Sequence, residues 1–381
     1  MNRPTLLVRR SRVLLTGYYL GLGVVMAVWG ARMPSIQKSA DLSTAQLSLV
    51  MLAAALGMVA GLQTGGRLTR PDRVPLLLTS GAVGLACSLA VLGQCDSLPT
   101  LSAVALLFGL THGVLDVAVN TAAVRCQNAY GRPIMSGLHA SYSIGALAGA
   151  ALAAVTARTA HSLLFLITGL ALSAAALAAI PGARSTTGGE DPSSSGRDAD
   201  QRLPRARIWL LGALAAATLL GEGAAADWAA VHLDGLHAST ALSAAAYACY
   251  SAAMATGRLT GDRLTAAFGA RPVVQSGALL AAAGLATGVL VPTTAFALAG
   301  WTLFGLGLSL TVPCLISAAG AGGPQAVATV SVTGYLGLLA GPALIGAIAT
   351  LTSLPTALLL PALLAAAVAF LSRRALEPHT S

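Results

Sequence analysis

Three carboxylates, Asp116, Glu222 and Asp227, lie inside otherwise apolar stretches. Asp116 has the richest neighbourhood. The stretch FGLTHGVLDVAVN (108–120) sets His112, Asp116 and Asn120 at i, i+4 and i+8. A helix stacks such residues on one face. His139, in the next apolar stretch, comes to a similar depth. The chemistry this group could do is proton exchange: a carboxylate that gains and loses a proton, with imidazoles as relay or substrate partners. The same row also reads as a hydrogen-bonded staple between two adjacent helices.

Glu222 and Asp227 stand five residues apart. That is about 140° around a helix, so they share no face. Glu222 is expected in the outer half of its helix and Asp227 one turn further out. Arg32 closes the first apolar stretch. A bridge from Arg32 to Glu222 or Asp227 would make an outer gate. Alternatively Arg32 snorkels to lipid headgroups and Asp227 is solvated. Trp29, Tyr142 and Tyr335 could stack on a solute, although aromatics in such helices more often pack or anchor at the membrane interface. Gln63 reads as a helix–helix hydrogen-bonding residue, and Gly113, Gly145, Gly149, Gly337 and Gly341 as points of close helix approach. His232 and His237 read as solvated loop residues.

These groups need elements to carry them, and composition says which. Of 381 residues, 56% are hydrophobic and 9% charged, against about 25% charged in soluble domains. Mean hydropathy is +0.77. The solvent for such a chain is lipid. Basic residues at a membrane protein gather on its cytoplasmic side, so the net charge of +9 calls for no nucleic acid. No GxxxxGK[ST] occurs, which argues against a nucleotide-hydrolysing P-loop. The five cysteines are scattered without a CxxC, so neither a metal centre nor a disulfide framework is expected.

A bilayer core takes about 20 apolar residues per helix. Twelve such segments follow: 13–33, 44–66, 74–94, 99–121, 134–156 and 161–181, then 207–230, 241–264, 272–291, 294–318, 326–350 and 354–372. The first is an uncleaved span rather than a signal peptide, because no cleavage site precedes a soluble domain. With the N-terminus inside, 19 of the 22 Lys and Arg fall on the cytoplasmic side; Arg32, Lys38 and Arg158 fall outside. The reverse orientation inverts that bias. Both termini are therefore expected in the cytoplasm. Residues 182–206 are rich in Gly, Ser, Pro and charge, a composition that cannot bury a core. They read as a flexible cytoplasmic linker between a six-helix half at 1–181 and another at 207–381.

The halves repeat each other. At an offset of 196, Ser43-Thr44-Ala45 matches Ser239-Thr240-Ala241, TGGRLT (64–69) matches TGDRLT (260–265), and LFGL (107–110) matches LFGL (303–306). At an offset of 192, GALAGAAL (145–152) matches GLLAGPAL (337–344). The expected fold is an all-α membrane protein of 12 transmembrane helices in two pseudo-symmetric six-helix bundles, the parallel-repeat architecture of secondary transporters.

GRLTGDRLTAAFGARP (257–272) resembles the G-x-L-x-D-R-x-G-R loop signature of the major facilitator superfamily, with Gly257, Asp262, Arg263, Gly269 and Arg271 in its positions. The resemblance implies that these residues form a cytoplasmic gate loop. The first-half copy, GGRLTRPDRVP (65–75), keeps Arg67 but has Gly66 where the Asp belongs, which leaves the latch mainly to the second copy. WGARMPSI (29–36), LDVAVN (115–120), GRPIMSGLHASYSIG (131–145), EGAAADW (222–228) and GYLGLLAGP (334–342) are similar to a YbjJ-like, fucose-permease-like branch of bacterial inner-membrane proteins. That branch implies a cavity lined by spans 1, 4, 7 and 10. The fourth span has no Arg between Leu101 and Val124, and the fifth lacks the proline of drug/proton antiporters. The expected function is secondary transport of a small organic solute by a monomer in the cytoplasmic membrane, driven by the proton gradient without another cofactor. Efflux of a drug or secondary metabolite is the alternative. A membrane-embedded enzyme, with His112, Asp116 and His139 as metal ligands, is the alternative of another class.

Overall fold

The computed structural model describes residues 5–185 and 203–377. The described residues form fifteen α-helices and no strand. They are α1 (Leu6–Ala31), α2 (Met33–Ser39), α3 (Thr44–Leu68), α4 (Val74–Leu92), α5 (Leu98–Tyr130), α6 (Met135–Val155), α7 (His161–Ala178) and α8 (Ile180–Ser185). After the linker come α9 (Arg205–Gly235), α10 (Thr240–Phe268), α11 (Ala270–Leu290), α12 (Thr294–Leu308), α13 (Thr311–Ala319), α14 (Gly323–Leu351) and α15 (Leu354–Ala375).

Ten segments are long and apolar enough to cross a membrane on length and composition. One of them, Thr294–Leu351, holds two crossings: α12 with α13, then α14. The twelfth crossing is α10, whose Arg258, Asp262 and Arg263 set it apart from the more apolar helices. The expected twelve transmembrane helices are thus all present, while α2 and α8 are too short to span. The break before α13 has a local cause. Pro313 cannot donate to the Ser309 carbonyl, and its ring crowds that oxygen.

The chain divides into two compact units. One comprises Met1–Gly131, Leu138–Arg202 and Gly322–Ala328; the other comprises Arg132–Gly137, Leu203–Ala321 and Thr329–Ser381. Most of the expected linker, residues 186–202, lies outside the described residues, as does Arg3.

The internal repeat is a repeat of packing contacts. Ser43 and Ser239 cap α3 and α10, each accepting from a backbone N–H three residues on, which satisfies an orphan donor of the first turn. In the first unit, a methyl built on Gly109 would overlap the Ala54 carbonyl; in the second, one built on Gly305 would overlap the Tyr250 carbonyl. Both partners obey the offset of 196. The same holds for α6 and α14. Gly145 faces the Leu20 carbonyl and Gly149 that of Val24, whereas Gly337 faces Ala216 and Gly341 faces Leu220. Gly113 lies against Met58 and Leu62. All five glycines expected at close approaches are found there. Lipid offers apolar side chains no reason to leave it, so small residues that bring backbones together carry much of the cohesion between these helices.

Candidate functional site

Among the described residues, each unit contains a polar cluster largely withdrawn from solvent. In the first, the row on α5 is present: His112, Asp116 and Asn120 are 5%, 7% and 3% exposed. The Asn120 side-chain amide donates to the Asp116 backbone carbonyl at 2.9 Å. Its oxygen accepts from the Tyr19 hydroxyl on α1 at 2.7 Å. The Tyr19 ring lies 5.2 Å from that of His139 on α6, tilted by 49°. α1, α5 and α6 therefore meet at one polar level, and His139 arrives where its spacing placed it.

α5 runs from Leu98 to Tyr130, past residue 121 where the apolar segment was expected to end, so Asp116 lies 18 residues after its start and 14 before its end. Among the described residues, no three His, Cys, Asp or Glu come together as metal ligands.

The second unit's cluster is built on Glu222 of α9. It lies 17 residues after Arg205 and 13 before Gly235, just past the helix middle. Its partner is Arg258 of α10, Nη2 to Oε1 at 3.3 Å, with the two side chains 10% and 21% exposed. Arg258, the second residue of the gate-loop signature at 257–272, is buried inside a span, ten residues before Phe268. Tyr250, two turns along α10 from Arg258, is buried, with no hydrogen-bond partner for its hydroxyl among the described residues. It packs against Tyr247 at 6.0 Å and Phe304 at 6.1 Å between ring centroids.

Arg32 is buried and turns to the C-terminal end of α6. It donates to the carbonyls of Ala153 at 3.0 Å and Ala157 at 3.3 Å, to that of Thr156, and to the Thr156 hydroxyl at 3.2 Å. The exposed carbonyls and negative dipole end of a helix favour a cation there. Asp227 is exposed. His232 is a further correction: it is buried on α9, 3% exposed, and its Nδ1 accepts from the Trp301 indole N–H at 3.3 Å. His237 is exposed, as expected.

The aromatic candidates separate. Trp29 packs on Phe108 with ring centroids 4.8 Å apart, the packing role rather than an open stacking face. Tyr142 on α6 and Tyr335 on α14 are half-buried.

The loop signature is placed as follows. Gly257 packs against Ser309. Asp262 Oδ2 accepts the Gly137 N–H at 3.1 Å within the second unit, capping the first turn of α6. Gly269 ends α10 at φ 85°, a backbone that L side chains rarely adopt. Arg271 lies 3.9 Å from Glu377, and Arg207 donates to the carbonyls of Ala375 and Glu377. Arg263 and Arg67 are exposed. The altered first copy has a steric reason. A methyl on Gly66 would overlap Ala328 and approach Gln325 Oε1 to 3.2 Å within the first unit, so no carboxylate fits. There Gln325 donates to Gln63 at 3.5 Å, the helix–helix bond expected of Gln63.

Tyr19 and Arg258 were not singled out in the sequence. Tyr19 had a signal, the Tyr18-Tyr19 pair inside the first span. Arg258 was masked by its neighbour Arg263, because a charge count by loop ignores where the helix ends.

The chain is 33% identical over 377 residues to an uncharacterized MFS-type transporter of Yersinia pestis, covering 94% of each chain. Its fold is similar to the crystal structure of the transporter FucP in the outward conformation, with a TM-score of 0.76 at 17% identity over 96% of this chain and 99% of that one. It is also similar to the proton:xylose symporter XylE bound to 6-bromo-6-deoxy-D-glucose, with a TM-score of 0.72 at 13% identity over 97% and 96%. The family model of the Major Facilitator Superfamily matches residues 33–322. With twelve spans, a doubled packing scheme and buried charge in each repeat, the chain is a multi-pass membrane transporter, not an enzyme, and belongs to the Major Facilitator Superfamily.

Proposed function

We propose that this transporter moves a small, polar, uncharged organic solute of sugar-like chemistry, coupled to protons, by alternating access. The observation that carries the reading is a buried carboxylate near the middle of one helix in each unit: Asp116 on α5 and Glu222 on α9. Ionisable groups inside membrane helices mark proton or substrate paths. Glu222 pairs with Arg258, and Asp116 stands in the α5 row where Asn120 donates to its backbone carbonyl and accepts from the Tyr19 hydroxyl. We assign proton exchange to Asp116 and substrate hydrogen bonding to the Glu222–Arg258 pair. A carboxylate already paired with a guanidinium suits a neutral solute, and the proton:xylose symporter among its structural neighbours is in keeping with that. The protein resides in the bacterial cytoplasmic membrane as a monomer with both termini inside, an orientation supported by the 19-to-3 distribution of basic residues.

The test is solute-driven pH change in proteoliposomes, comparing wild type, Asp116→Asn and Glu222→Gln. Loss of proton movement in Asp116→Asn with solute binding retained supports the assignment. Unchanged proton movement in both variants overturns it. The solute and its direction come from comparing metabolites inside and outside cells with and without the protein; export as the net direction would favour efflux.

A further inference from the structure

A cleft of about 280 Å³ opens in the first unit between α1, α4 and α7, with Leu115 of α5 at its floor. It belongs to neither polar cluster. Tyr18 is the only lining residue with a polar side-chain atom. On α1 it is bounded by Val13 at one end and Val25 at the other. Twelve residues of helix make it roughly 18 Å long, close to the roughly 15 Å depth of one leaflet of hydrocarbon.

Two glycines one turn apart shape this cleft. A methyl on Gly17 would meet nothing within 4 Å, and one on Gly21 would meet only Leu172 Cδ2 at 3.6 Å. They differ from Gly23 on the same helix, where a methyl would overlap the Tyr142 carbonyl. Gly23 serves helix packing; Gly17 and Gly21 leave a trough. An apolar trough of this size is not a place for ordered water, which needs polar partners. Arg10 lies three and four residues before Val13 and Leu14 and seven before Gly17, so it shares their face of α1, and it is exposed. Arg10 therefore lies one turn beyond the Val13 end of the slot, on the same face of α1.

We propose that this cleft is a binding site for one anionic glycerophospholipid, its acyl chain lying along Gly17 and Gly21 and its phosphate meeting Arg10. Apolar burial holds the chain, and the cation selects the headgroup. In the orientation proposed above, the lipid comes from the cytoplasmic leaflet. Its position against α1, which also carries Tyr19, ties occupancy to the helix that bounds the first polar cluster.

The experiment is native mass spectrometry of the purified full chain in detergent, titrated with palmitoyl-oleoyl phosphatidylglycerol or phosphatidylcholine. Wild type is expected to retain one phosphatidylglycerol per chain at concentrations where phosphatidylcholine is lost. Gly17→Leu fills open space and is expected to weaken retention at least tenfold with no loss of thermal stability. Gly30→Leu, at another position on α1 where a methyl meets nothing, is the control and retains the lipid. Arg10→Gln is expected to bind the two lipids equally. Retention by Gly17→Leu equal to wild type overturns the site, and equal binding of both lipids to wild type overturns the headgroup assignment. A dimer that Gly17→Leu abolishes, with no lipid retained, overturns the proposal in favour of a second copy of this chain in the cleft. None of these readouts depends on proton coupling, so they fail separately from the transport reading.

Discussion

Arg258 holds Glu222 across 3.3 Å between the middle of α9 and the inner stretch of α10. Both are mostly buried, and each is the reason the other can be charged there. Removing one partner of such a pair costs about 3–5 kcal/mol, because it strands the other charge; replacing both with apolar residues is often neutral. Arg258→Ala is therefore expected to lower thermal stability in detergent strongly. Arg258→Leu combined with Glu222→Leu recovers most of it while solute uptake stays lost. Thermal unfolding and proteoliposome uptake, measured together, check both halves of this expectation.

The Tyr19–Asn120 bond at 2.7 Å is a smaller matter. Tyr19→Phe leaves a buried acceptor unmet at a cost of about 1–3 kcal/mol. Uptake is expected to fall further than stability, because Asn120, which the lost hydroxyl holds, also bonds the Asp116 carbonyl. If thermal unfolding and uptake were both unchanged, the cluster would have no role.

Much of this was legible beforehand. The twelve spans, the repeat and the glycines follow from one constraint, that backbone polar groups in lipid must be satisfied within helices. The row on α5 was legible because i, i+4, i+8 spacing is a property of a single helix. What was not legible needed two helices at once. Arg258 points at Glu222 only because α9 and α10 pack together, and Arg32 prefers the end of α6 only because that end is beside it. Charge signs give candidate pairs; helix ends compete for the same cations and carry no letter in the sequence.

The glycine contacts yield a sharp contrast. Gly109→Ala forces a methyl into the Ala54 carbonyl, whereas Gly17→Ala meets nothing. Overpacking costs about 1–3 kcal/mol, and Ala in a helix is favoured over Gly by up to about 1 kcal/mol. Gly109→Ala is expected to lower the unfolding temperature and Gly17→Ala to leave it level or raise it. Gly305→Ala should behave like Gly109→Ala, because its partner is the corresponding Tyr250 carbonyl.

Cys95, between α4 and α5, reports orientation. Partial burial pushes its thiol above the ordinary cysteine range; a hydrogen bond from Thr100 opposes this and neighbouring Asp96 adds to it. Only the thiolate reacts with maleimide. A membrane-impermeant maleimide added outside intact cells is expected to label Cys95 slowly at pH 7, and about tenfold faster per pH unit until the thiol titrates. Labelling only in inverted vesicles would reverse the proposed topology.

Arg32 and Asp262 sit at opposite ends of α6, a cation on its terminal carbonyls and an anion on its first-turn N–H. Each charge opposes the partial charge of the end it touches. α6 therefore behaves as a bar magnet with a keeper on each pole. Neutralising either keeper weakens one pole, so Arg32→Gln and Asp262→Asn, far apart in sequence, should weaken the same helix additively.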